Sequence, residues 1–545
     1  MATQWQTFPI EFRGGLISNL SPLQHGTNAV GSATILQNFE VNKEGGYTKL
    51  KGYNKYSNTA VTGTGPTLAL KVIGSGNIVA ARKNSTNNKT EYYRSSGTSW
   101  TSLGSSAATN GGKAKSVLYN LNGDDKVIFV DGTNFPAIYN TSGNTLTFLK
   151  NDSSNDSNDI GTNDPLGAQH VAYFKSTAFY AKDNNIYFTA PQSVDDFNVA
   201  NGAGVINVGN KVTGLISFRD QLIVFTTDTI KRITGSSSAD FVISPITNGI
   251  GCINGDTIQE VGGDIMYLAP DGIRLLSATD RIGDFGLDVV SDIIVKDATT
   301  FLNQTPIFCS VVLKEKAQYR IFAYVQSEQT EAAKGLIATK FVSQGGGGLS
   351  WSTIKGIKAH IADSRYTNTL ETLAFANEDG YVYIMETGAT FNGSAIEAIY
   401  ESPFMPLTDP QMRKTFYKMT LYAEPTASMA LNLNIKYDFA SATNTKIIQP
   451  ATQQISSTGS AVFIFGTSVR FAEKDPSDKT LVNTSWSGYN STHTYGTYGG
   501  VLDNVYNLNV IGSGKTIAIR LSDFSTNPTF TLDTALLEYS QEDRQ

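Results

Sequence analysis

Residues 371–385 read ETLAFANEDGYVYIM. Two short apolar runs flank Glu378-Asp379-Gly380, so the stretch reads strand, turn, strand: a β-hairpin. Working upstream, similar runs recur as QYRIFAYV (318–325), GDIMYLAPDGIRLLS (263–277), DQLIVFTTDTIKRIT (220–234), STAFYAKDNNIYFTA (176–190), KVIFVDGTNFPAIY (126–139) and GNIVAARK (76–83). With Ile78, Val127, Phe179, Ile223, Ile265, Ile321 and Leu373 as markers, the spacings are 49, 52, 44, 42, 56 and 52 residues. A multi-stranded unit repeating at about 40–50 residues is the pattern of β-propeller blades. The span 66–390 holds about seven of them, without a Trp-Asp signature. A series of sandwiches or a β-solenoid is the competing architecture.

Beyond the repeat, residues 391–545 change character. RKTFYKMTLYAEPTASMALNLNIKYDFA (413–440) and GSGKTIAIRLSDFSTNPTFTLDTALLEYS (512–540) alternate apolar and polar residues. Such alternation marks half-buried strands and predicts a β-sandwich-like C-terminal domain, with the boundary near Ser402-Pro403. Residues 1–65 are turn-rich, with Gly14-Gly15 and Gly45-Gly46 as turn signals. They read as loops and short strands that form an N-terminal platform or docking segment. FGLDVVSDIIVKDATTFLN (285–303) places Val289, Val290, Ile293, Ile294 and Phe301 at helical spacing and predicts the one clear helix. NDSSNDSNDIGTND (151–164) is a solvated loop. It fails as a calcium loop because Ile160 and Gly167 stand where ligands are needed.

The 545 residues carry 42 Lys and Arg against 48 Asp and Glu, a net charge of −6. Gly numbers 50, Tyr 25 and Phe 28, and charged residues are only 17%. That balance suits an all-β chain with real cores. It disfavours a nucleic-acid reader with a basic face. Two cysteines, Cys252 and Cys309, and four scattered histidines exclude a disulfide framework and a Cys-based zinc site. The N-terminus lacks the apolar core of a leader, and no run of 18 apolar residues occurs. The expectation is synthesis in a cytoplasm without export by a leader.

Candidate chemistry is sparse. IGSGKT (511–516) matches a phosphate loop at Gly514, Lys515 and Thr516, but Asn509 replaces the first Gly and a strand follows instead of a helix. It reads as a hairpin turn. Gly345–Gly348 reads as a turn. Asp124-Asp125 and Asp195-Asp196 read as solvated turn charges rather than the opposed carboxylates of a glycosidase. His170 and His360 read as structural residues. KLKGYNKY (49–56) and RKNSTNNKTEYYR (82–94) mix basic and aromatic residues, and a contact patch for a protein neighbour is the expectation. No catalytic residue, cofactor or metal ligand is assigned, and no enzyme is expected.

The opening FRGGLISNLSPLQHGTNAVGSATILQNFEVNKEGGYTKLKGYNKY resembles the start of tail-tube and nozzle proteins of tailed phages (tail tubular protein B-like). The matching points are Gly14-Gly15, Asn38-Phe39, Glu44-Gly45-Gly46 and Lys51-Gly52-Tyr53. NNIYFTAPQSVDDF (184–197) is similar to the family's blade motif, and the C-terminal segment to its closing strands. The resemblance implies a virion structural protein: a homo-oligomeric ring, commonly of six copies, at the distal end of a short tail. Each subunit would join a platform to a propeller around the DNA exit channel. Partners would be other tail proteins, an adaptor and tail fibres, with DNA passing unread and no membrane anchor. Arg13, Gly14, Gly15, Asn38, Phe39, Lys51 and Tyr53 are the partner-docking candidates. The alternatives are a neck or baseplate protein of another tail type, a propeller glycosidase, or a receptor-binding adhesin. The acidic balance predicts a neutral-to-acidic channel face with isolated basic rings at most, gated by polar loops such as 151–164.

Overall fold

The computed structural model describes residues 5–541 except 107–108, 122, 150–164, 238, 277–288, 304–306, 326–327, 344–345, 368, 428, 440–451, 458–470, 475–480 and 485–504. The expected polar loop 151–164 therefore lies outside the described residues.

Between residues 64 and 385 the chain winds into propeller blades. Four-stranded antiparallel sheets span 64–105, 115–148, 170–207 and 212–248, and a three-stranded sheet spans 259–275. Strands at 307–355 form the sixth unit and strands at 361–385 the seventh. Six of these seven are sheets of their own. The sixth in sequence is the first part of a nine-stranded sheet that continues out of the propeller.

All seven marker residues fall on the second strand of their blade, and each is almost fully buried. The reason is stacking. A blade's second strand is covered on both faces by its neighbours, so it is a continuous apolar run rather than an alternating one. Gln221–Thr226 and Asp264–Ala269 are buried along nearly their whole length. Apolar clusters fill the gaps between successive blades, and one cluster joins the seventh blade to the first. There Lys71 Nζ meets Asp363 Oδ1 at 2.7 Å, and the Val72 amide donates to Asp363 Oδ2 at 2.8 Å. The ring is thereby closed.

The last blade is built from both ends of the propeller sequence. Its outer strand is Tyr53–Lys55, paired antiparallel with Val382–Met385. The rest of the N-terminal segment is shared out in the same way. Ile35–Gln37 bridges Gly346–Lys355 of the sixth blade to Ala398–Glu401. Ile517–Asp523, Met429–Tyr437 and Gln453–Ser457 complete the nine-stranded sheet. A second sheet takes Trp5–Glu11, Phe39–Val41 and Tyr47–Lys49 together with Phe530–Gln541, Lys414–Pro425 and Val505–Gly514. The two sheets share one core, with Leu431, Leu433 and Ile435 from one and Met419, Leu421 and Leu537 from the other. Met429–Tyr437 alternates buried and half-buried positions without a break, as a sandwich strand should.

Several local expectations are corrected. The helix expected over 285–303 is a 3-10 turn, Asp292–Ile294, followed by the α-helix Val295–Asn303. Val289 instead bridges Arg274 as extended chain, and 285–288 lie outside the described residues. Ile294, Ala298 and Phe301 point into the core shared by propeller and sandwich. A second helix, Pro22–Asn28, occurs where loops and short strands were expected. Ser21-Pro22 was its start signal. It lies so close to Phe404 that a Cβ on Gly26 would overlap the Phe404 carbonyl. Gly346–Gly348 form strand, paired with Phe341–Ser343, because the hairpin is longer than its apolar part. IGSGKT is no hairpin turn: the strand before it belongs to one sandwich sheet and the strand after it to the other. The Lys515 and Thr516 amides donate to the Asp438 carboxylate, at 2.6 and 3.1 Å, where a phosphate loop would hold its anion.

Candidate functional site

The seven docking candidates lie along the joint between propeller and sandwich. Arg13, Gly14 and Lys51 are exposed, and Arg13 pairs with Glu11 at the surface. The other four are buried against the chain's own interior. Gly15 packs on the Trp351 backbone with φ +69°, leaving no room for a Cβ, and the Leu16 amide donates to Trp351 O at 2.7 Å. Asn38 sits at φ +54° and is 1% exposed. Its amide donates to Lys355 O and Glu397 O at 3.1 and 2.9 Å, and its Oδ1 accepts from the Lys355 amide at 2.9 Å. One side chain thus ties the sixth blade to the strand that leaves the propeller. Phe39 is fully buried, edge-on to Phe530. Tyr53 stacks on Phe391 at 5.1 Å and meets Phe375 and Tyr383 edge-on.

Two buried ion networks reinforce the joint. Lys49 Nζ donates to Asp523 Oδ2 at 3.0 Å and to the Ser525 and Asn527 carbonyls, with both side chains almost wholly buried. Glu40 pairs with Lys316 at 2.6 Å and Arg320 at 3.3 Å, and Glu386 pairs with the same two at 2.6 and 2.8 Å. Burial alone would raise the Glu386 carboxyl. The two cations outweigh it and hold it at about 2. The basic-aromatic segments are absorbed similarly. Arg82 spends its guanidinium on the Val61 and Gly65 carbonyls, and Tyr92 and Tyr93 are buried.

A second cluster sits at the mouth of the propeller channel, where the inner strands begin. Lys113 and Lys115 come from the second blade, Gln169 and His170 from the third, Lys211 and Thr213 from the fourth. Asp256 comes from the turn that opens the fifth. Asp256 pairs with Lys113 at 3.0 Å and also with Lys115. Lys113 Nζ reaches on to Phe308 O of the sixth blade at 2.9 Å. These contacts cross the channel from one side to the other. Beside them is an open cavity of about 370 Å³.

The electrostatics follow from burial and from two cations sharing one anion. Burial would raise the Asp256 carboxyl, but Lys113 and Lys115 hold it well below the usual carboxylate range. Burial pushes His170 down to about 3, helped by Lys115, against the pull of Asp256. His360, whose Nδ1 lies 2.7 Å from Tyr324 Oη, is pushed down to about 4 by burial and then by Lys113. Both imidazoles are therefore neutral at physiological pH. Cys252 and Cys309 are buried free thiols raised by burial to about 11, far from a reactive thiolate.

His360 is buried with its Nδ1 against Tyr324, but its Nε2 has no hydrogen-bond partner among the described residues, so it is not the fully satisfied residue expected, and His170 lines the cavity. The sequence reading did not single out Lys113, Lys115, Lys211 or Asp256. Their signal lay just upstream of the repeat markers. Each stands at or just before the start of a blade, one strand ahead of the aligned apolar run. Among the described residues no group of three or more His, Cys, Asp or Glu is placed to hold a metal ion.

No family model matches the chain, and no curated protein matches it. Among solved structures, the extracellular domain of a putative hybrid two-component system from B. thetaiotaomicron is similar over 64% of this chain and 43% of that one, at 11% identity and a TM-score of 0.38. The computationally designed Ika8 protein matches 61% of this chain and 99% of its own, at 10% identity and a TM-score of 0.33. An exo-β-1,3-galactanase from Phanerochaete chrysosporium, solved with galactose, covers 90% of this chain and 100% of its own, at 11% identity and a TM-score of 0.26. The chain spans less than half the length of the first of these proteins. Likeness at this level bears on neither substrate nor partner.

Proposed function

We propose that the protein is a structural subunit of a phage tail, one copy of a symmetric ring around the DNA exit channel, at the nozzle of a short tail. The observation that carries this reading is the joint. Of the motif residues that resemble the nozzle family, Gly15, Asn38 and Phe39 fasten the propeller to the sandwich, and Gly52 and Tyr53 complete the seventh blade beside them. A single nine-stranded sheet runs from the sixth blade into the sandwich. A ring that holds back packaged DNA is loaded mechanically. Continuous hydrogen-bonded sheet, stapled by buried ion pairs, carries load between two units better than a flexible linker would.

The low net charge fits the same role. A strongly basic lumen would bind phosphates and retard ejection. Arg13 and Lys51, exposed at the edge of the joint, are the proposed contacts to a neighbouring tail protein. Native mass spectrometry of the purified full chain tests the reading. It predicts a closed assembly of about six copies. A chain that stays monomeric at all concentrations, and is absent from virus particles, overturns it.

A further inference from the structure

We propose that the cavity at the channel mouth binds a small hydrophilic ligand bearing one oxyanion group, a carboxylate or a phosphate, on a body about the size of a monosaccharide. The inference does not rest on the tail-ring reading.

Unbalanced charge comes first. Three lysines line the cavity, Lys113, Lys115 and Lys211, and so do two carboxylates. Asp131 is spent within its own turn, accepting from the Thr133 and Asn134 amides at 3.0 and 2.7 Å and from Asn134 Nδ2 at 2.7 Å. Asp256 is shared by Lys113 and Lys115. Lys211 is exposed to the cavity, with no carboxylate against it among the described residues. The wall therefore carries surplus positive charge that an anion would neutralise.

An unspent donor is the independent second observation. Thr213 lines the same cavity, and its hydroxyl oxygen is buried without a hydrogen-bond partner among the described residues. A buried hydroxyl left unpaired is costly. The oxygen is closed to solvent, so a bound ligand would pair it only through a small rearrangement of the wall. Lys211 directly precedes the strand Val212–Phe218, and Thr213 stands at the bulge between Val212 and Gly214; the alternation of the strand is broken there, and both residues line the cavity.

Size and polarity narrow the class. A volume of about 370 Å³ lies at the small end of ligand sites and exceeds what a bare ion needs. The remaining wall is amide, imidazole and glycine backbone from Gln169, Asn254, His170, Gly132 and Gly255, with Val212 and Ile253 as the apolar part. Such a lining suits hydroxyl groups better than an aliphatic or aromatic body.

The test is isothermal titration of the full chain with glucuronate, glucose 6-phosphate, inorganic phosphate and neutral glucose. We expect glucuronate or glucose 6-phosphate to bind, and whichever binds names the oxyanion. Glucose should bind at least tenfold more weakly. Lys211→Ala should weaken the anion about tenfold, since a charge-assisted hydrogen bond is lost. Its melting temperature should not move, because no described partner depends on Lys211. Thr213→Val should weaken binding by a smaller factor. No anion binding up to about 10 mM, well above the millimolar affinity of even a weak site, overturns the proposal. So does glucose binding as tightly as glucuronate, or anion affinity unchanged in Lys211→Ala. Binding of a short single-stranded oligonucleotide, with none of the small anions binding, also overturns it.

Discussion

A propeller blade and the joint beside it are built from the same strands and hold together by different means. Within the blade at 212–248, every strand pairs with its neighbour in sequence. At the joint, Asn38 bonds to Lys355, and Lys49 to Asp523, across 317 and 474 residues. Blade contacts are local, repeated and apolar. Joint contacts are remote and unique, and the ties made by Asn38, Lys49 and Glu40 are polar. The blade thus tolerates variation by averaging over seven similar units, while the joint depends on single side chains.

That contrast predicts where the chain breaks. Lys49→Met should be the most damaging change, destabilising by about 3–5 kcal/mol, because it strands the Asp523 carboxylate in the core. Guanidinium unfolding of the full chain measures it. Adding Asp523→Leu should recover most of the loss. Equal damage from single and double variants would show that packing rather than charge holds the site.

Asn38→Ala comes next, at about 2–3 kcal/mol, since two carbonyls and one amide lose a buried partner. Asn38→Gly keeps the left-handed backbone and should cost less than Asn38→Ala. The difference between them, read as a shift in melting temperature, isolates the backbone part. Gly52→Ala should cost about 1–3 kcal/mol, because a Cβ there would overlap the Thr390 carbonyl where the outer strand joins the seventh blade. Gly97, in a blade turn with open space around it, is the matched control. Its change to Ala should cost less, from its φ of +60° alone. A larger effect at Gly97 than at Gly52 would reverse the contrast.

The smallest effect concerns acid. His170 and His360 stay neutral in the fold, with values near 3 and 4 against an ordinary 6.5. The unfolded chain takes up a proton on each as pH falls through about 6.5, while the native state does not. Their contribution is complete above that pH and is lost steadily down to about pH 4 for His360 and about pH 3 for His170. By pH 5.5 each histidine should have lost about 1 kcal/mol of stability. His360→Gln should flatten the acid limb of a stability–pH curve. An unchanged slope would mean that the buried carboxylates alone govern acid unfolding.

The same contrast explains what could be read from the sequence. The blades were legible because burial on both faces writes a continuous apolar run, and the run recurs: Ile223 and Ile265 announce their strands without knowledge of the rest of the chain. The joint was half legible. Gly15, Asn38 and Tyr53 stood out through resemblance, but nothing local says that Asn38 reaches Lys355 or that Tyr53–Lys55 completes a blade begun 300 residues later. The channel mouth was not legible. Lys113, Lys115 and Asp256 are ordinary surface-type residues, and only closure of the ring brings them together. Pro22–Asn28 was missed because its seven residues are too few for a periodicity to show.

Electron cryo-microscopy of tailed-phage particles, searched for this chain, tests the proposal most directly. The account predicts a symmetric ring of copies at the distal end of the tail. Each copy would show a propeller fused rigidly to its sandwich through the nine-stranded sheet, around a lumen without a continuous lysine and arginine lining. Particles that lack the protein, or a map in which propeller and sandwich separate and pivot independently, would contradict it.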